Sequence, residues 1–169
     1  IVENVVTACR EIGLTPLAVE PSINVVGKLI TSTEQGNLPT VIVDIGAADT
    51  DLAILNGRIR ATASLQVGSN TLTYAIAEKM NVSLENAHQL KVLHGLSHSS
   101  KQKKILEAVD PALTQIINEI RRIIRYYNER LDASTRVEQV IIVGSGSDIP
   151  GIGEYFTDNL VMPARVASP

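Results

Sequence analysis

The sequence predicts an α/β fold built on a mixed five-stranded sheet, with helices on both faces and a small helical insertion. Residues 40–67 contain three apolar or alternating runs joined by short turns, a pattern typical of an antiparallel meander. Residues 138–143 form a further run rich in β-branched residues, after a long amphipathic pattern. Apolar residues at helical spacing occur before, between and after these strands, so helices should cover the sheet.

The composition argues against three classes of protein: nucleic-acid-binding, disulfide-rich and membrane-spanning. The 169 residues carry a formal net charge of −3, few aromatic residues and no tryptophan, which argues against a nucleic-acid interface. The lone cysteine, Cys9, excludes a disulfide framework and indicates a reducing compartment. No apolar run reaches membrane-spanning length, and the chain opens at Ile1 inside a helical pattern. We therefore expect a cytoplasmic fragment of a longer protein.

The first 39 residues begin with a helical stripe over Val2–Ile12, which Gly13 ends. Leu14–Val19 is predicted to be a short strand, at an edge or a strand start because it contains Pro16. A second helix is predicted over Ile23–Ile30, before a polar surface loop that leads to the meander.

The meander is the centre of the chain. Asn56-Gly57 is a strong hairpin signal, because both central residues of a type I′ turn need a positive φ. Its three strands are predicted at Val41–Val43, Leu52–Leu55 and Arg58–Val67.

The turn after the first strand of the meander is a candidate binding element. Gly46 allows the backbone to approach a ligand closely, and Thr50 offers a hydroxyl beside N–H groups that can bind an anion. Asp44 at the strand end is suited to a hydrated Mg²⁺, which favours one or two carboxylates plus phosphate oxygens. The alternative is a hairpin in which the aspartate and glycine only satisfy turn geometry.

Two helices are predicted after the meander, over Thr71–Met80 with Ser69 or Asn70 as its cap, and over Leu84–Leu93. A polar and basic segment follows. The histidines of this part of the chain have no cysteine or carboxylate at ligand spacing, which favours solvated side chains over a metal site: His88, His94 and His98.

The longest helical pattern covers Ile105–Leu131 and carries four arginines on its exposed side, for which a solvated face is favoured over a membrane surface. The strand Glu138–Val143 then runs directly into a glycine-rich turn and a helix over Ile152–Asn159, an arrangement suited to phosphate or ribose. The alternative role of the glycines is tight packing. Val161–Val166 should be a terminal edge strand, since it contains Pro163.

The two loops together carry a family resemblance. Their order, separated by a helical insertion and a long helix, resembles the second lobe of the actin-like ATPase superfamily, with its ribonuclease H-like fold. The first loop is similar to the second phosphate motif of that superfamily, and the second loop to its adenosine motif. The motifs read Asp44-x-Gly46-x-x-x-Thr50-Asp51 and Gly144-Ser145-Gly146-x-x-x-Pro150-Gly151.

Within that superfamily, nearly the whole chain resembles the PilM family of type IV pilus assembly proteins. The segments that carry this resemblance are residues 13–21, Val43–Gly46 with Thr50–Ile54, Val67-Gly68 followed by Leu72-Thr73, and Ala87–Lys91. The resemblance implies that residues 1–38 are the end of a first lobe and the helix that connects the lobes. Residues 39–80 and 105–169 would be the second lobe, and residues 81–104 a small helical insertion subdomain.

The resemblance also implies that the chain binds ATP and Mg²⁺. Asp44 would lie near the metal and hold it through water, while Gly46 and Thr50 would lie against the outer phosphates. We expect the glycine turns to converge at one end of the sheet. No catalytic residue is assigned, and ATP binding is favoured over efficient hydrolysis.

The adenosine side of the implied site consists of Gly144, Ser145 and Gly146, with Lys91 beside the base. His88 departs from the family pattern, because it stands where relatives carry a ribose-binding glutamate. The chain also contains no Asp-x-Gly turn of a first lobe, so half of the nucleotide cleft lies outside this sequence.

The implied function is a nucleotide-binding scaffold at the inner face of the cell membrane, peripheral to it through its partners. The implied partners are other pilus assembly proteins and the short cytoplasmic tail of PilN, which relatives bind in a groove of the first lobe. A homodimer is left open. The alternatives are a division protein similar to FtsA, another actin-fold ATPase such as a sugar kinase, and a nucleotide-free interaction domain.

Overall fold

A computed structural model of the protein describes residues 2–33, 38–97, 102–132 and 134–167. The described residues form a five-stranded sheet with the order β3-β2-β1-β4-β5, in which β2 is antiparallel to both neighbours and β4 is parallel to β1 and β5. The strands are β1 (Thr40–Ile45), β2 (Thr50–Asn56), β3 (Arg58–Leu65), β4 (Gln139–Val143) and β5 (Ala164–Val166). The predicted mixed sheet is confirmed.

Six α-helices occur in the described part of the chain, and the long one ends in a π-helical turn, Tyr127–Leu131. The helices are α1 (Val2–Glu11), α2 (Ser22–Thr33), α3 (Ser69–Met80), α4 (Leu84–Leu93), α5 (Gln102–Tyr126) and α6 (Ile152–Leu160).

Both faces of the sheet are buried, because alternate residues of the central strands point to opposite sides. On one face, Val43, Ile45 and Leu52 contact the core made with α3, α5 and α6. On the other face, Ile42 and Ala53 pack against α2. The prediction of helices on both faces is therefore confirmed.

The hairpin predicted at Asn56-Gly57 joins β2 to β3, and Gly57 has a φ of +66°. The Asn56 amide donates to the hydroxyl of the buried Tyr127 over 2.8 Å. That hydroxyl donates in turn to a carboxylate oxygen of Asp132 over 3.3 Å. This chain of hydrogen bonds connects the hairpin to the π-helical turn and satisfies a phenol that would otherwise be buried unpaired.

Three details differ from the sequence-based predictions. Leu14–Val19 is not a strand in this structure; Leu17 is 97% exposed, and a strand needs a hydrogen-bonded neighbour to persist. Helix α3 is capped by Gly68 instead of Ser69 or Asn70. The predicted insertion contains α4 at the expected position, while its residues 98–101 lie outside the described residues.

Within the described ranges, no helix is both long enough and apolar enough to cross a membrane.

Replacing Tyr127 by phenylalanine should lower the free energy of unfolding by about 1–2 kcal/mol, because the Asn56 amide and the Asp132 carboxylate lose a buried partner. Urea denaturation measures the change. Tyr126→Phe is the matched control, since Tyr126 is the adjacent residue and is 52% exposed. Equal stabilities of the two variants would contradict a structural role for the Tyr127 hydroxyl.

Candidate functional site

Two glycine-containing turns meet where β1 and β4 end. The two strands are parallel, with Asp44 beside Val143, so their carboxyl ends lie at the same edge of the sheet. The N–H of Gly146 donates to the carbonyl of Ile45 over 2.8 Å and holds the second turn against the first strand. The prediction that Asp44, Gly46, Gly144 and Gly146 lie together at one end of the sheet is confirmed.

The second turn requires glycine at two positions. Gly144 has a φ of +88°, and a Cβ there would overlap the carboxylate of Asp44 and lie 2.6 Å from the carbonyl oxygen of Ile45. A Cβ at Gly146 would overlap the side chain of Ile45. The absence of side chains at these positions therefore lets the backbone of the turn lie directly against the end of β1. Ser145 between them is exposed.

The first turn is fixed by the start of α3. The N–H of Gly46 donates to the carbonyl of Asp49 over 2.9 Å, and the N–H of Ser69 donates to the carbonyl of Gly46 over 2.8 Å. A Cβ at Gly68 would lie 2.6 Å from the carbonyl oxygen of Ala47, so glycine is needed there too. Sequence reasoning missed Gly68 as a site residue; its position directly before a helix was the available signal.

Asp44 belongs to a group of three carboxylates. It is half-buried and lies directly opposite Asp51 in the β1–β2 ladder. Burial raises the pKa of the Asp44 carboxyl above its usual 3.8, and the negative charges of Asp51 and Asp49 raise this pKa further. The site therefore opposes the ionised form of Asp44 and is electrostatically suited to a cation, which would relieve this repulsion.

Thr50 faces inward. Its side chain is fully buried, and its hydroxyl donates to the carbonyl of Val67 over 2.6 Å. The structure thus uses the Thr50 hydroxyl to join the start of β2 to the segment before α3, and does not direct it toward the open side of the turn.

Lys91 of α4 is also buried, with 3% of its surface exposed. Its ammonium donates to the carbonyl and the hydroxyl of Ser69 over 3.0 and 2.5 Å, and to the hydroxyl of Thr73 over 2.8 Å. Burial lowers the pKa of the Lys91 ammonium. Lys91 therefore connects α4 to the first turn of α3. Its partner Ser69 directly follows Gly68, the glycine that contacts the 46–49 turn.

The residues present are compatible with a magnesium nucleotide. No group of three His, Cys, Asp or Glu side chains in the described ranges is arranged as a metal site by itself. Mg²⁺ does not need one, because it takes few protein carboxylates and completes its shell with water and phosphate. Asp44 supplies one carboxylate beside two turns in which Gly46, Gly144 and Gly146 carry no side chain.

Comparisons of the sequence with known proteins identify a family. The family model for cell division protein FtsA matches residues 41–169. FtsA of Neisseria meningitidis serogroup B is 23% identical, over 85% of this chain and 39% of that protein. FtsA of Enterococcus hirae is 22% identical, over 89% of this chain and 37% of that protein. The chain thus spans about two fifths of the length of the curated relatives it matches.

Solved structures show the same fold. The PilM-PilN type IV pilus biogenesis complex superposes with a TM-score of 0.76 and 26% identity, covering 99% of this chain and 47% of that chain. MreB5 of Spiroplasma citri bound to ADP superposes with a TM-score of 0.79 and 19% identity, covering 98% of this chain and 60% of that chain. The actin-like fold and the resemblance to PilM are therefore confirmed.

Two effects on stability can be separated at Gly144: the steric cost of a Cβ against the end of β1, and the backbone strain of a positive φ. Gly144→Ala should destabilise the protein by about 1–3 kcal/mol more than Gly57→Ala, because overpacking adds to the strain of a positive φ. Gly57 is the matched control, since it has a φ of +66° and no neighbouring atom within 4 Å of the position that a Cβ would take. Chemical denaturation of both variants measures the difference. Equal losses would show that the two turns are not in tight contact.

A second prediction concerns pH. Because the pKa of Asp44 is raised in the folded state, the folded protein holds this proton more tightly than the unfolded chain. The contribution of Asp44 to the free energy of unfolding should therefore fall as the pH rises above the usual carboxyl pKa of 3.8 and through the raised pKa of the folded state, and Asp44→Asn should remove this fall.

Urea titrations without nucleotide or Mg²⁺ at several pH values measure this dependence. At neutral pH the Asp44→Asn variant should be more stable than the natural protein, whereas Asp158→Asn, an exposed change on α6, should not be. A less stable Asp44→Asn variant at neutral pH would rule out carboxylate repulsion as the dominant effect.

Proposed function

Because the chain belongs to the family of cell division protein FtsA, we propose that it is part of an actin-like scaffold protein that binds Mg-ATP between two lobes. The chain would supply the second lobe, over residues 39–80 and 105–169. ATP would stabilise the closed arrangement of the lobes and thereby change the affinity for an assembly partner.

One observation carries this proposal: β1 and β4 bring two glycine turns and the Asp44 carboxylate to the same edge of the sheet. Ligands of α/β proteins bind at the carboxyl ends of parallel strands, where successive turns leave a crevice. The solved structure of MreB5, which shares this fold, holds ADP.

The proposed contacts with the nucleotide are assigned to residues of the two turns that are at least partly exposed. Asp44 would hold Mg²⁺ through water, and the backbone of Gly46 would approach the outer phosphates. The turn Gly144-Ser145-Gly146 would contact the adenosine. Mg²⁺ would supply positive charge to the phosphates, while the residues of this chain bind and orient the nucleotide.

Thr50 and Lys91 would act differently from the other proposed binding residues. Both are buried with their polar atoms in hydrogen bonds to neighbouring backbone or hydroxyl groups. We therefore propose that they position the 46–49 turn and the start of α3 for nucleotide binding. Lys91 would then contact α3 and not the nucleotide, and α3 in turn would hold the turn that the nucleotide contacts.

Residues 1–38 would belong to the first lobe and the connecting helix. Among the described residues, α1 buries none of its side chains, although it carries an apolar stripe that includes Val2 and Val5. Such a stripe normally packs against another element. Residues 81–104 would form a small insertion subdomain, which Lys91 attaches to α3.

The proposed partner is a membrane-anchored assembly protein with a cytoplasmic tail similar to that of PilN, since the PilM-PilN complex shares 26% identity with this chain. The scaffold would then lie at the cytoplasmic face of the membrane. A role in cell division is the second candidate, supported by the FtsA relatives. The two candidates share the nucleotide site and differ in the machine that it serves.

Titration of fluorescent Mg-ATP into the full-length protein tests the nucleotide site. We expect saturable binding in the natural protein and a loss of roughly tenfold or more in affinity for Asp44→Asn, which removes the negative charge beside Mg²⁺. Excess unlabelled ADP should compete with the probe.

Asp158→Asn is the control for this titration, because it removes an exposed carboxylate on α6. It should bind like the natural protein. Equal affinity of the Asp44→Asn variant would contradict the proposed role of Asp44 beside Mg²⁺. No binding to a folded natural protein would contradict the nucleotide site itself and favour a nucleotide-free interaction domain.

A further inference from the structure

A groove lies between strand β3 and the carboxyl end of α5, away from the two glycine turns. It has a volume of about 560 Å³, and none of its lining residues belongs to the turns. Its lining includes the buried Ile123 and five charged residues, namely the arginines Arg60, Arg122, Arg125 and Arg130 and a single glutamate, Glu129.

The groove is strongly basic around an apolar centre. Arg60, Arg125 and Arg130 are exposed, and their guanidinium groups make no hydrogen bond or ion pair with any described residue. Arg122 differs, because it pairs with Glu119 on the preceding turn of the helix. Between these charges, the floor includes the buried Ile123. Three unpaired guanidinium groups around an apolar strip complement a ligand that carries carboxylates and some apolar surface.

One side of the groove is an open sheet edge. Strand β3 pairs with β2, and no strand in the described ranges pairs with its outer side. Alternate N–H and C=O groups of β3 therefore face away from the sheet on either side of Arg60, where the β2–β3 register shifts and leaves one residue of β3 without a partner. An extended peptide can use such groups by adding a strand, while its alternate side chains enter pockets beside it.

We propose that this groove binds an extended acidic peptide segment of a partner protein as a sixth strand beside β3. Carboxylates of the peptide would pair with Arg60, Arg125 and Arg130, whose planar guanidinium groups suit two-point contacts with carboxylates. This site is separate from the nucleotide turns and from the partner groove expected in the first lobe.

Two other occupants fit the groove less well. A second copy of this chain paired through β3 would bring no carboxylate from that strand to the arginines, because β3 contains no aspartate or glutamate. An anionic membrane would satisfy the arginines but would leave the backbone groups of the open strand unused.

The test uses the full-length protein and a fluorescent peptide as long as β3, eight residues, that alternates glutamate with valine. We expect saturable binding, weakened roughly tenfold by Arg60→Glu and by Arg125→Glu, because each change replaces an attraction by a repulsion. Arg136→Glu is the matched control, since Arg136 is exposed and does not line the groove. It should bind the peptide as the natural protein does.

Backbone pairing is tested separately with N-methylated peptides of the same charge. A peptide added to one sheet edge has one set of alternate N–H groups facing β3 and the other set facing water. Methylation of one set should abolish binding, and methylation of the other set should leave it nearly unchanged. A peptide that alternates lysine with valine should not bind.

The results that overturn the proposal are specific. Equal binding by Arg60→Glu and Arg136→Glu would show that the arginines only protect the strand edge. Equal tolerance of both methylated peptides would exclude strand addition. Binding to vesicles that contain phosphatidylserine, with the same dependence on Arg60 and with no competition by the acidic peptide, would assign the groove to a membrane.

Discussion

The parallel contact between β1 and β4 is the constraint on which the rest of the structure depends. It places the ends of two strands that are far apart in sequence at one edge of the sheet. Gly144 and Gly146 make this contact close enough for a backbone hydrogen bond to Ile45. The antiparallel meander on one side and β5 on the other extend the sheet from this central pair, so the position of the candidate site follows from the pairing itself.

Buried polar contacts behind the turns are the second determinant. A buried ammonium is costly unless hydrogen bonds satisfy it, and Lys91 obtains them from Ser69 and Thr73 instead of from a carboxylate. Thr50 joins β2 to Val67 in the same region. A displacement of α4 should therefore displace the start of α3 and the 46–49 turn that α3 contacts. This short chain of contacts links the insertion to the candidate site.

The surfaces of the domain differ in chemistry. The edge with the glycine turns carries three aspartates, whereas the groove beside β3 carries unpaired arginines. Comparisons establish the family and the actin-like fold. Since one fold can host many functions, what the protein binds must be argued from such surfaces and not from the fold.

The sequence by itself determined most of the elements and the existence of the two turns. These features are local properties of the sequence: the helical and strand periodicities, the Asn56-Gly57 pair and the other glycines. They favour the same helix, strand or turn whatever its neighbours in the fold are. Only the tertiary structure decided that Thr50 and Lys91 point inward and that Leu14–Val19 has no neighbouring strand. It also brought Arg60 and Arg125 to one groove. Burial and pairing depend on which elements become neighbours, and no local pattern specifies that.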